Sequence, residues 1–161
     1  MPKETIVFEE FLIAAGKQHG DFIERLHEFL QENGCIMKMK MAANGHVVSY
    51  MHKPTARTVA NFLFRKGMPM LRVYADNTVH YADMLAKWPD DMKDTIKKGG
   101  NCKRLSDPTA CNSRCLLGFD FILDGEHQQK CRCHMAFTFF LGDETNPHLM
   151  EIMKREMEAR T

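Results

Sequence analysis

The residues best suited to chemistry are five cysteines between positions 102 and 133, which have the spacing C-x8-C-x3-C-x15-C-x-C. Cysteines clustered in a reduced compartment indicate a metal site or reactive thiols before they indicate disulfides. Four thiolates surround Zn²⁺ at about 2.3 Å each in structural zinc sites. The spacing departs from the repeated C-x2-C of zinc ribbons. The sequence therefore predicts a structural Zn²⁺ site without assigning it to a common zinc motif.

Two of the cysteines are spaced to share one face of a short helix. In "SDPTACNSRC", Ser106 or Asp107 can cap a helix whose first turn contains Pro108. Cys111 and Cys115 then stand at i and i+4, with Cβ atoms about 5 to 6 Å apart. Such a pair would supply half of a tetrahedral site.

The other half of the site would come from the segments on either side of this helix. Cys102 lies just upstream, and Cys131 and Cys133 lie downstream in "KCRCH". The residues themselves leave Cys131, Cys133 and, as a substitute, His134 open as the fourth ligand. Cys35 stands apart on a strand face shared with methionines, which predicts a small buried side chain.

Cations flank the cysteines, since residues 97 to 134 hold seven Lys and Arg against four Asp and Glu. Nearby positive charge lowers the pKa of a thiol and offsets the charge of four thiolates on one Zn²⁺. A zinc-stabilised binding or regulatory domain is the first hypothesis. The alternative is a thiol-based redox protein or enzyme that uses an activated cysteine of this basic cluster. Enzymatic activity is not expected of a closed four-thiolate site, which leaves no open coordination position.

The elements before the cysteines are predicted to be two helices and two β-hairpins. Apolar residues recur at helical spacing in "DFIERLHEFLQENG", which Gly34 ends, and a shorter helix covers residues 5 to 15. "CIMKMKM" turns at Asn44-Gly45 into "HVVSYMH", and "TVANFLFR" and "MLRVYA" flank a second turn. These four strands would form one sheet.

Further helices and a third hairpin follow. Helical segments flank Pro89, the pair Gly99-Gly100 is predicted to be a flexible joint, and "HLMEIMKREMEAR" forms a closing helix. The sequence thus predicts a single α+β domain over residues 1–161, with the cysteine segment at 100–134. Its antiparallel sheet is built from three β-hairpins and packed by N-terminal, central and C-terminal helices.

The register of the third hairpin is predicted from its side chains. A two-residue turn would place Phe119, Phe121 and Leu123 on the same face as Gln128, Lys130 and Arg132, which mixes apolar with charged residues. A three-residue loop, 124–126, is favoured instead. That register aligns the apolar face with Cys131 and Cys133, which would point inward.

The length, hydrophobic content and net charge of the chain indicate how it folds and which partners it is expected to attract. A chain of 161 residues that is 44% hydrophobic can bury a core without cross-links, and its net charge of +1 gives no overall attraction to polyanions. Three cations of the second hairpin, Arg65, Lys66 and Arg72, are interpreted as a solvated face, so nucleic acid is not an expected partner.

A cytoplasmic protein is predicted, because no secretory signal or membrane-spanning run is recognisable. The ligand or protein partner and the oligomeric state stay undetermined.

Several strings resemble a family of small bacterial proteins whose activity is not established: "GHVVSY", "FLFRKGMPMLRVYAD", "CKRL", "DPTACNSRC", "GFDFILDG" and "KCR". The resemblance runs from about position 45 to the end of the chain. It implies a ligand set of Cys102, Cys111, Cys115 and Cys131, because Cys133 falls where the family more often has an aromatic residue. It implies no particular activity.

Overall fold

The computed structural model describes residues 3–107, 109–110, 116–132 and 135–160, and it has the predicted α+β fold. Its helices are α1 (Lys3–Ala15), α2 (Gly20–Glu32), α3 (Ala82–Ala86), α4 (Asp90–Lys98), α5 (Lys103–Ser106) and α6 (Asn146–Ala159). Its strands are β1 (Cys35–Ala42), β2 (Gly45–His52), β3 (Arg57–Arg65), β4 (Met68–Val73), β5 (Phe119–Leu123), β6 (Glu126–Lys130) and β7 (Thr138–Phe140).

The strands form two sheets. A five-stranded sheet has the order β1-β2-β3-β4-β7, and its first four strands are the two predicted hairpins. β1 pairs with β2 along its whole length, from Cys35 opposite His52 to Ala42 opposite Gly45. The third hairpin forms a separate two-stranded sheet of β5 and β6 instead of extending the first.

Two compact units make up the chain. The first contains Met1–Val73 and Phe140–Met150, and the second contains Tyr74–Phe139 and Glu151–Thr161. In the first unit α1 and α2 bury one face of the sheet, where Phe11 lies 5.5 Å from the ring of Phe62 and the Tyr50 hydroxyl is 2.7 Å from His27 Nδ1. The single domain predicted from the sequence is not tested by this division.

The second unit has its own apolar core. Phe137 packs against Phe119 and Phe121 of β5, with ring centres 5.1 and 5.7 Å away, and Trp88 packs edge-on against Phe139. Gly99 lies against Ala136 so closely that a Cβ at position 99 would be 2.5 Å from the Ala136 Cβ. The pair Gly99-Gly100, the best candidate for a flexible joint in the sequence, therefore includes a tight packing point at Gly99.

The turn of the third hairpin differs from the predicted one. Leu123 pairs with Glu126, so the loop is the two-residue Asp124-Gly125, and both of these residues have positive φ. Positive φ at both positions is the geometry of a type I′ turn, which suits the twist of paired strands. Asp124 Oδ2 lies 3.1 Å from Lys93 Nζ and 3.2 Å from Lys97 Nζ, and both lysines belong to α4. Hydrogen bonds from these two lysines lower the pKa of the Asp124 carboxyl group.

This two-residue turn gives the register that the sequence argument rejected. Phe119 lies opposite Lys130 and Phe121 lies opposite Gln128, and both polar side chains are buried. The ammonium group of Lys130 donates to Lys97 O at 2.6 Å, to Gly99 O at 3.0 Å and to Asn101 Oδ1 at 3.2 Å. A buried ammonium group with three acceptors is satisfied, so the assumption that a lysine must face solvent was wrong.

A buried carboxylate connects α6 to the start of the second unit. Glu156 is 0% exposed and accepts hydrogen bonds from Tyr81 Oη at 2.6 Å, Asn77 Nδ2 at 2.6 Å and Asn77 N at 3.0 Å. Arg160 Nε adds a fourth donor at 2.8 Å. The burial of Tyr81, together with the adjacent carboxylate, raises the pKa of its phenol.

Replacing Glu156 by Ala should destabilise the fold by about 3 to 5 kcal/mol, because the change removes the acceptor of the buried Tyr81 hydroxyl, of Asn77 and of Arg160 Nε. Arg160 would keep its bonds to Asp76 and to the Tyr74 carbonyl. The measurement is urea unfolding followed by circular dichroism. Glu158→Ala, at an exposed position of the same helix, is the matched control and should cost well under about 1 kcal/mol. Equal losses in the two variants would contradict the structural role of this network.

Candidate metal centre

Cys102 is held at the start of α5 by backbone pairing with the third hairpin. Its N–H donates to Gln129 O at 2.8 Å, and Cys131 N–H donates to Gly100 O at 2.7 Å. Between these two bonds Asn101 and Lys130 form an antiparallel bridge. The segment that carries Cys102 thus runs beside the end of β6 as a short additional strand.

This ladder places two of the predicted ligands on one face. Residues opposite each other in an antiparallel pair share a face, and side chains alternate along a strand. Cys102 stands opposite Gln129, and Cys131 follows Gln129 by two residues, so the two cysteines are diagonal neighbours. Lys130 and Asn101 occupy the other face, where their side chains bond to each other.

The prediction that Cys131 points inward is therefore wrong. The inward positions near the end of β6 belong to Gln128 and Lys130, which are buried, whereas Cys131 and Cys102 are half-buried. The physical reason is the two-residue turn, because a shift of one residue in register moves every side chain to the opposite face. The correction brings Cys131 to the face that Cys102 occupies.

The sulfur of Cys102 also receives a backbone hydrogen bond. Gly118 N–H lies 3.3 Å from Cys102 Sγ. A Cβ at position 118 would lie 2.2 Å from Lys130 O and 2.7 Å from Cys102 Cβ, so only glycine fits this close approach. N–H donors directed at a sulfur stabilise a thiolate and orient it as a metal ligand.

Two of the four predicted ligands, Cys111 and Cys115, lie outside the described residues, as do the alternatives Cys133 and His134. Over the part of the chain that is described, no group of three or more His, Cys, Asp or Glu side chains is arranged to hold a metal ion. The described half of the predicted site is the pair Cys102 and Cys131.

Residues 111–115 of the predicted cysteine helix lie outside the described residues, whereas Asp107, Thr109 and Ala110 at its predicted start are described. Asp107 Oδ1 accepts from Thr109 N at 3.0 Å and from Thr109 Oγ1 at 2.7 Å, and these bonds lower the pKa of the Asp107 carboxyl group. These bonds form an Asx-type turn, and the described residues Thr109 and Ala110 are a turn and a bend, so the predicted helix start is not seen at these positions.

Two of the cations next to the cysteines have other partners in the structure. The ammonium group of Lys130 serves the backbone carbonyls of Lys97 and Gly99, and desolvation by burial lowers its pKa. Arg132 forms an ion pair with Asp76, and its guanidinium carbon lies 5.2 Å from the ring centre of Tyr74. Lys130 and Arg132 are therefore held in place by structural contacts, so their position beside the cysteines does not by itself indicate a role in thiol chemistry.

The remaining sequence predictions for sulfur-containing residues concern the first unit. Cys35 is 6% exposed, which confirms the prediction of a buried side chain. Met37 and Met39 are half-buried on the sheet face that packs against α2, whereas Met41 at the end of β1 is 66% exposed. The methionine-bearing face of β1 is therefore half-buried in the middle of the strand and exposed at its end.

Comparison with known proteins gives no match for this chain among family models, curated proteins or solved structures. The resemblance to small bacterial proteins stays a prediction. Among the described helices, none combines the length and the apolar character that crossing a membrane requires.

Replacing Gly118 by Ala should disturb the candidate site directly. The added methyl group would collide with a backbone carbonyl and with Cys102 Cβ, neither of which can rotate away. Overpacking of this kind costs about 1 to 3 kcal/mol. We expect a lower unfolding midpoint and a reduced zinc content per chain.

Gly20→Ala is the control for this variant, because nothing lies within 4 Å of the added Cβ and the residue has helical φ and ψ. Unchanged stability and zinc content in Gly118→Ala would show that the backbone at 118 does not lie against Cys102.

Proposed function

We propose that the chain is a zinc-stabilised binding or regulatory domain in which Cys102, Cys111, Cys115 and Cys131 hold one structural Zn²⁺. The observation that carries the proposal is the placement of Cys102 and Cys131 on one face of the ladder, with the Gly118 N–H directed at Cys102 Sγ. Tetrahedral coordination at about 2.3 Å requires sulfur atoms about 3.8 Å apart. Diagonal neighbours on paired strands, with Cα atoms about 7 to 8 Å apart, are within reach of that separation.

The role proposed for the metal is to fasten the segment 100–116 to the third hairpin. The described part of this segment buries little apolar surface, since Leu105 is only half-buried and Leu116 is 48% exposed. Ordering a residue costs about 1 to 2 kcal/mol of backbone entropy, and apolar burial returns about 25 cal/mol per Å². Hydrogen bonds from Lys130 fix residues 99–101. Coordination of Zn²⁺ by Cys102, Cys111 and Cys115 would order the rest of the segment.

Metal analysis of protein purified without added zinc tests the proposal. We expect about one Zn²⁺ per chain. Cys102→Ser, Cys111→Ser, Cys115→Ser and Cys131→Ser should each release it and destabilise the fold severely, because apparent binding energies of about 10 to 16 kcal/mol match or exceed the stability of a typical domain. Cys35→Ser is the control and should keep the metal.

Two outcomes would change the proposal. Loss of zinc in Cys133→Ser, with zinc retained in Cys131→Ser, would make Cys133 the fourth ligand. A zinc content near zero, with all six thiols reacting rapidly with a thiol reagent, would overturn the structural site. A thiol-based redox function would then be the better hypothesis.

Chelation followed by hydrogen exchange tests the fastening role. Removal of zinc should first expose the amides of residues 103–107 and of Gly118, whose N–H would lose its fixed sulfur acceptor. The amides of β1 and β2 should stay protected, because their pairing involves no cysteine of the cluster. Simultaneous loss of protection in β1 and β2 would mean that the metal organises the whole chain and does not act only as a local fastening.

A further inference from the structure

A cleft of about 430 Å³ lies in the first unit between α1, α2 and the edge strand β1. Its lining includes the apolar Phe8, Leu12 and Met37 and the acidic Glu9, Glu24 and Glu28. It is called the acidic cleft from here on. Apolar surface beside exposed carboxylates fits a group with an alkyl stem and a positively charged end, which describes a lysine side chain.

The chain itself does not neutralise the carboxylates of the acidic cleft. Among the described residues, no ion pair includes Glu9, Glu24 or Glu28. Burial lowers the pKa of His27, whose Nδ1 lies 2.7 Å from the Tyr50 hydroxyl, so this imidazole adds no positive charge at neutral pH. Glu24 and Glu28 stand at i and i+4 of α2, where like charges repel each other. A bound cation would remove this repulsion.

Two exposed lysines lie on the other face of the same edge strand. Lys38 and Lys40 of β1, called the lysine pair from here on, also take part in no ion pair of the described residues. Met37 stands opposite Tyr50 on the side of α2, so Lys38, the next residue, points to the opposite side of the sheet. The sheet therefore separates the lysine pair from the acidic cleft of its own chain.

The two surfaces match in spacing and in charge. Two residues of a strand span about 6.6 Å, and four residues of a helix rise about 6 Å, so the lysine pair of one molecule can face Glu24 and Glu28 of another. Residues 3 to 32 contain seven Asp and Glu against three Lys and Arg, whereas residues 33 to 75 contain seven Lys and Arg and no Asp or Glu. A second copy of the chain complements both surfaces, and a foreign partner of one charge would complement only one of them.

We propose that two copies of the chain dock reciprocally, with the lysine pair of each copy in the acidic cleft of the other. The alkyl stems would pack on Phe8 and Leu12, and the ammonium groups would bind Glu24 and Glu28. Met37 and the lysine pair belong to one strand, so a two-fold axis beside β1 brings both sets of contacts together. Lysines on an edge strand oppose backbone pairing with another strand, so the contact is made by side chains and does not extend the sheet.

A contact of this kind is expected to be weak and sensitive to salt. Interfaces below about 1,200 Å² are typical of transient association, and we expect a dissociation constant of about 10 to 100 µM. The Debye length falls from about 10 Å at 0.1 M salt to about 3 Å at 1 M, so this change should weaken the dimer at least about tenfold.

Sedimentation equilibrium of the full chain at about 0.1 M salt tests the dimer. Lys38→Glu/Lys40→Glu and Glu24→Lys/Glu28→Lys should each weaken self-association at least about tenfold, because each variant places like charges against each other. An equimolar mixture of the two variants should form a dimer with an affinity within about threefold of that of the unchanged protein. In this mixed dimer the two reversed surfaces face each other, and so do the two unchanged ones.

Lys66→Glu/Lys87→Glu is the control, because it makes the same change in net charge as the β1 variant at exposed positions outside the cleft and β1. It should dimerise like the unchanged protein. It should bind Glu24→Lys/Glu28→Lys at least about tenfold more weakly than Lys38→Glu/Lys40→Glu does, which separates a specific contact from attraction by net charge. Unfolding curves of all three variants should match that of the unchanged protein, because every changed position is exposed.

Four results would overturn the proposal: a chain that stays monomeric at about 1 mM, an equal loss of association in the control, a mixture of the two charge-reversal variants that does not associate, or assemblies larger than a dimer. Binding of an oligolysine or oligoglutamate peptide by a monomeric chain would instead assign one of the surfaces to a foreign protein. None of the changed residues belongs to the cysteine region, so the dimer is tested separately from the metal site.

Discussion

The burial of one ammonium group determines the arrangement of the cysteine region. Lys130 ends β6 and donates to the carbonyls of Lys97 and Gly99 and to the side chain of Asn101. These carbonyls belong to the C-terminal end of α4, where backbone acceptors lack partners within the helix. A cation at a helix C-terminus also interacts favourably with the helix dipole. Because Lys130 points inward, Cys131 points outward, and Cys102 is placed beside it.

A second polar network supports the same region from the other side of Cys131. Arg132 binds Asp76, Asp76 binds Arg160 at 3.0 Å, and Arg160 binds the buried Glu156 at 2.8 Å. Each member has a charged partner, and the carboxylate of Glu156 has four donors, so the network meets the condition under which buried charge is tolerated. The proposed metal ligands therefore lie beside residues whose positions are already fixed, which favours a site that stabilises structure over one that must open to react.

Charge is distributed in the first unit in a way that the total composition conceals. Its helices carry most of the carboxylates, and its sheet carries only cations. Strand pairing then sorts these cations onto one face, because residues such as Lys38 and Arg72 are joined through Ser49 and Asn61 across four strands.

The sequence by itself determined the α+β class, the N-terminal helices, the first two hairpins and the closing helix, because apolar spacing, Gly34 and the turn residues are local signals that each act within a few residues. It also identified the cysteines as the candidate ligands. Only the tertiary structure decided the register of the third hairpin, since the burial of Lys130 depends on carbonyl groups about thirty residues away that no local pattern reveals. The same holds for the contact between Gly118 and Cys102, because it joins segments sixteen residues apart whose side chains become neighbours only after the chain has folded.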